Sequence, residues 1–131
     1  MPRMPSSAST KIALALCVAG VALHVYTVAF KAQGDASAFL FGLLLLSSAP
    51  YAIAAILARR RGKALLGLGA AAACLAADLY MHHAVFFAPK SSTAALGLLF
   101  MPIWNLLAVG PAGALLFWLG HRFVGMRRDT T

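Results

Sequence analysis

The chain has 131 residues, a hydrophobic fraction of 62%, only 11% charged residues, a mean hydropathy of +0.85 and a formal net charge of +8. Soluble domains carry about a quarter charged residues, so this composition excludes a water-soluble core and indicates an all-α integral membrane protein. Four apolar runs fill the chain and leave too little sequence outside them for an extramembrane domain.

Residues 1–11 contain Pro2, Pro5 and three serines without apolar periodicity, and read as a flexible cytoplasmic tail. The first run, 12–30, is read as a retained span rather than as a signal peptide ending at Ala36–Ser37–Ala38. Gly34 stops it, and Asp35 and Ser37 are cap candidates for the second run, 38–58. The segment Arg59–Arg60–Arg61–Gly62–Lys63 separates this from the third run, 64–87. Pro89, Ser91 and Ser92 then separate the third run from the fourth, 94–119, with either serine as N-cap. Residues 120–131 read as a basic cytoplasmic tail.

Each run is long enough to cross a hydrocarbon core of ~30 Å at ~1.5 Å per helical residue. None alternates apolar and polar residues as a barrel strand of ~10 residues does, so the spans are read as helices. The short connections predict an antiparallel, up-down four-helix transmembrane bundle. The third run is rich in small residues, among them Gly67, Gly69, Ala70, Ala71 and Cys74, and is expected to be the central helix. Its small-residue faces could also support homo- or hetero-oligomers. Pro50, Pro102 and Pro111 fall inside the second and fourth runs, where a missing N–H bends a helix; they are read as tolerated irregularities rather than hinges.

The basic residues are placed as a topology signal. Arg3 and Lys11 precede the first run, Arg59, Arg60, Arg61 and Lys63 follow the second, and Arg122, Arg127 and Arg128 follow the fourth. That leaves only Lys31 and Lys90 for the other side, so both termini are expected in the cytoplasm of a bacterial inner membrane. The expected partners of these edges are the bilayer and its anionic inner-leaflet lipids. Neither tail interleaves aromatic with basic residues, so a nucleic-acid partner is not expected. Cys17 and Cys74 each stand alone inside a span, which argues against a disulfide framework.

Asp78 is the only carboxylate at membrane depth, because the chain has no Glu and Asp35 and Asp129 lie outside the runs. An ionisable group there costs about 2.5–3.5 kcal/mol on insertion scales and needs a partner or a purpose. His82 follows at i+4, on the same helix face, so that the two side chains could satisfy one another. His24 lies at similar depth on a stripe with Cys17, Gly20 and Thr27, and Ser47, Ser48, Tyr51 and Asn105 are polar candidates on the other two spans. The expected site is a polar pocket of His24, Ser47 or Ser48, Asp78, His82 and Asn105, drawn from all four helices. His83 lies off this stripe and is expected at the outer interface.

Two imidazoles and a carboxylate are also a common ligand set, so His24, Asp78 and His82 could hold a divalent metal; no other cofactor is expected. A hydrogen-bond network that only fixes helix register is the competing reading. No motif specifies a reaction. The leading expectation is a non-enzymatic accessory or immunity-type membrane component. The alternative is a small proton- or cation-coupled transporter, or a metal-handling protein, built on the Asp/His pocket.

Overall fold

The computed structural model describes residues 7–31, 38–60, 62–87 and 94–129. All of the regular structure in them is helical, as expected where hydrocarbon offers backbone groups no other partner. Helix α1 runs over Ser7–Tyr26 and continues as a π-helical turn, Thr27–Lys31. Helices α2 (Ala38–Arg59) and α3 (Ala64–Phe86) follow. The last span consists of α4 (Ala94–Trp104), a π-helical turn (Asn105–Val109) and α5 (Gly110–Asp129). Four of these stretches are long and apolar enough to cross a membrane, which makes the chain a multi-pass membrane protein.

The helices outrun the expected spans at both ends of the described chain. Ser7–Lys11, read from the sequence as tail, are the first turns of α1, which Thr10 ties down by donating its hydroxyl to the Ala58 carbonyl at 3.2 Å. Helix α5 continues without a break past residue 119 to Asp129, so most of the expected basic tail is helical. Trp118 and Arg122, one turn apart there, form a cation–π pair at 5.4 Å. The cap candidates Asp35, Ser37, Ser91 and Ser92 lie outside the described residues. After α2 the chain turns through Gly62, whose φ of +73° is open to glycine and strained for other residues.

Burial is inverted relative to a soluble protein. Phe39, Phe41, Leu45, Phe100, Leu107 and Leu116 are exposed, whereas Asp78, Asn105, His24, His82 and Ser47 are buried. Large apolar side chains turned outward around a polar interior match a hydrocarbon solvent. The core itself is made of small side chains: Ala13, Cys17, Ala54, Ala70, Ala71 and Cys74, with Tyr51 as its one large member.

Small side chains let the backbones close on each other, which is how apolar helices gain contact when burial from water contributes nothing. A Cβ on Gly67 would stand 2.5 Å from the Ala54 carbonyl oxygen, and one on Gly69 would overlap the carbonyl of Gly113. Gly67 thus seats α2 and Gly69 seats α5, so α3 is the central helix, packed also on α1 and α4. These glycine contacts of the small-residue faces are made within the chain.

The two kinds of proline irregularity differ. Helix α2 stays α-helical through Pro50, whereas the last span widens to a π-helical turn before Pro111. The Gly110 N–H reaches back five residues to the Asn105 carbonyl in that turn. Such insertions change which residues face inward beyond them. Here the turn begins at Asn105.

Candidate functional site

Three polar side chains from three other helical segments converge on the Asp78 carboxylate, which is 1% exposed. His24 Nε2, from α1, lies 2.9 Å from Oδ2. The Tyr51 hydroxyl, from α2, donates to the same oxygen. Asn105 Nδ2, from the π-helical turn, donates to Oδ1 at 2.8 Å. His24 Nε2 donates to Oδ2 where Asp78 is ionised and accepts from it where Asp78 is protonated. The pair therefore shares one proton across a single hydrogen bond.

Each donor has a local reason to be there. Tyr51 reaches Asp78 across the face of α1 because Gly20 has no side chain: a Cβ at that position would overlap the Tyr51 ring. Asn105 is held by the π-helical turn, and its main-chain carbonyl receives both the Gly110 N–H and a weak bond from the Cys74 thiol at 3.7 Å. Cys17 and Cys74 are free thiols in the same core cluster.

His82 sits beside this centre, not on it. The i+4 spacing led to the expectation of a direct bond to the Asp78 carboxylate, but His82 Nδ1 instead lies 2.7 Å from the Asp78 main-chain oxygen. A carbonyl can only accept, so Nδ1 carries a hydrogen. The other nitrogen, Nε2, lies 2.7 Å from Thr27 Oγ1, which is itself 2.9 Å from the Leu23 carbonyl. The single hydroxyl proton of Thr27 can serve only one of these. With His82 neutral, Thr27 donates to Nε2. With His82 protonated, Nε2 donates to Thr27, which donates to Leu23. The hydroxyl accommodates both proton states without any helix moving, and the His24 and His82 rings are edge to face at 5.8 Å.

Of the residues expected in the pocket, His24, Asp78 and Asn105 are in direct contact and His82 is adjacent. Ser47 is buried on α2 one turn from Tyr51. Ser48 departs from the expectation: it is half-buried and lines an open groove along α1 and α2 with Val18, Val25 and Arg59. One residue is 100° of helix, enough to turn it from the core to the flank. His83 is exposed and stacked on Phe87 with ring centroids 5.9 Å apart, as its position off the stripe implied. The expected metal trio has both His82 nitrogens in hydrogen bonds to Asp78 O and Thr27, so an ion could recruit His82 only by displacing them.

Tyr51 and Thr27 are the members that reading by depth alone undervalued. Part of the signal was present in the sequence: Tyr51 is a polar residue at the depth of the pocket, and Thr27 lies on the His24 stripe. Only the helix packing shows which polar groups meet. Comparison with protein-family models, curated proteins and solved structures finds no match to this chain, so its role is argued from this centre.

Proposed function

We propose that this chain is a small, non-enzymatic, multi-pass protein of a bacterial inner membrane that exchanges protons, or couples a cation to them, through the Asp78–His24 pair. In this reading neighbouring helices are antiparallel and both termini are cytoplasmic, because the basic residues then gather on the side where anionic lipids attract them. The observation that carries the proposal is the proton-sharing contact of His24 Nε2 with Asp78 Oδ2 at 2.9 Å, in a core where Asp78 is 1% exposed. A register-fixing network can be built from neutral amides and hydroxyls; an acid and two imidazoles at that depth add the capacity to take up and release a proton. The titratable groups around Asp78 are His24 on α1, Tyr51 on α2 and Cys74 and His82 on α3, while the last span presents neutral Asn105.

The competing reading, an accessory or immunity-type component, draws support from the second half of α5, where Phe123, Val124 and Met126 are exposed among basic residues. Proteoliposomes containing a pH-sensitive dye separate the two. Under an imposed pH gradient the wild-type chain should accelerate proton equilibration, and Asp78→Asn should abolish this while remaining inserted. If Asp78→Asn leaves the flux unchanged and only weakens the bundle, the accessory reading stands.

A further inference from the structure

On the side of the bundle away from α3, an open groove of 860 Å³ runs between α1 and α2, walled by Leu14, Val18, Val21 and Ala22 on α1 and by Ala52 and Ala55 on α2. Its walls are almost wholly apolar. The charged side chain that lines it is Arg59, exposed at the end of α2. A second cation is set at the same level. Thr10 of α1 donates to the Ala58 carbonyl of α2 at 3.2 Å, and the next residue on each helix is Lys11 and Arg59 respectively. Lys11 is exposed as well, and it precedes Leu14, Val18 and Val21 at steps of three, four and three residues, the spacing of one helix face. The groove thus has a basic mouth and an apolar bed. From Arg59 to Ser48, the far end of its α2 wall, the helix rises about 16 Å at ~1.5 Å per residue, and one leaflet of a ~30 Å core supplies about 15 Å of hydrocarbon.

We propose that this groove seats one anionic phospholipid of the leaflet on the Arg59 side, with its phosphate at Arg59 and Lys11 and an acyl chain laid along α1 and α2. The distribution of charge selects this occupant. A guanidinium matches a phosphate as a bidentate pair, and the ammonium beside it adds a point charge. Among the described residues no acidic side chain lines the groove, so its own wall does not neutralise the cations. A soluble phosphate gains nothing from the apolar walls, and a zwitterionic lipid brings a cation of its own to the mouth. A second copy of the chain, packed on this face about a two-fold axis along the membrane normal, would set Arg59 and Lys11 against their own copies, which like charge opposes. Attraction of a basic edge to an anionic surface is diffuse and fixes no single lipid. The groove adds a wall of one leaflet's depth for the chain. This does not rest on proton movement at Asp78, and lipid binding and flux can fail separately.

The test is native mass spectrometry of the full chain in mild detergent, titrated with two lipids of identical chains, dioleoylphosphatidylglycerol and dioleoylphosphatidylcholine. Two cations at about fivefold each predict that the wild-type chain binds its first phosphatidylglycerol at least tenfold more tightly than phosphatidylcholine. Arg59→Gln should weaken that first lipid about fivefold. Arg122→Gln, which removes the same charge from α5, should leave it unchanged. Ala22→Trp fills the groove from an exposed position and should weaken the first phosphatidylglycerol at least tenfold. Since a variant can fail to insert, a further readout needs no substitution: glycerol 3-phosphate carries the anion without the chain, and in large excess it should not displace the lipid from the wild-type protein. Equal affinity for the two lipids, full affinity in Arg59→Gln, an equal loss in Arg122→Gln, undiminished binding by an inserted Ala22→Trp, or displacement by glycerol 3-phosphate would each overturn the proposal. So would a dimer that Ala22→Trp dissociates, because a second copy would then occupy the groove.

Discussion

Replacing Asp78 by leucine and by asparagine separates a convergent carboxylate from a merely buried one. Asp78→Leu removes the shared partner of the His24 imidazole, the Tyr51 hydroxyl and the Asn105 amide. Three interhelical bonds at ~0.6 kcal/mol set a lower bound of about 2 kcal/mol, since the unfolded chain in lipid also finds partners. Three polar groups left unpaired at ~2 kcal/mol each set an upper bound of about 6 kcal/mol. Asp78→Asn should be far milder. The introduced amide can accept from His24 and Tyr51 through its oxygen and donate to Asn105, provided the Asn105 amide turns over and presents Oδ1, which has no partner among the described residues. All three contacts then survive as neutral bonds of about half the strength, a loss of about 1 kcal/mol. Unfolding in mixed micelles of mild detergent and dodecyl sulfate, followed by helical circular dichroism, measures both variants against the wild type. Equal destabilisation by the two substitutions would refute the convergence of polar groups on Asp78.

The remaining predictions address the proton positions and the helix contacts. A ¹⁵N spectrum of the imidazoles should show His82 protonated at Nδ1 in every state, because the Asp78 carbonyl only accepts; a neutral form protonated at Nε2 alone would contradict the hydrogen bond to the backbone. Gly69→Ala should destabilise the bundle by about 1–3 kcal/mol in the same mixed-micelle assay, since its Cβ would overlap the Gly113 carbonyl and approach Phe117 Cβ at 2.8 Å. Gly42→Ala is the matched control: nothing lies within 4 Å of its Cβ, and the gain in helix propensity should stabilise α2 by about 0.5–1 kcal/mol. A loss at Gly42 equal to that at Gly69 would mean that close backbone approach is not what the glycines of α3 provide.

Much of the fold was legible because bilayer length and backbone hydrogen bonding leave few choices. The second and third runs were delimited to within one residue of α2 and α3, and the small residues of the third run identified it as the central helix. The end of the fourth run was not legible, because the last turns of α5 mix Phe123, Val124 and Met126 with Arg122 and Arg127, and that interruption of the apolar run by charge reads as the start of a tail. At the site, Asp78, His24 and Asn105 stood out by their chemistry, being rare where hydrocarbon makes them expensive. Ser48 was misplaced and Tyr51 undervalued for one reason: depth along a helix is read from residue number, but rotation about its axis depends on what it packs against.

The chain alone determined that four helices would form and that an acid would lie among them, since both follow from how the bilayer treats backbone and charged groups. Tertiary structure decided which atoms that acid would meet. Gly20 makes room for Tyr51, and Asn105, at the start of the π-helical turn before Pro111, meets Asp78. Those are matters of fractions of a helical turn, and only the contact of one helix with the next fixes them.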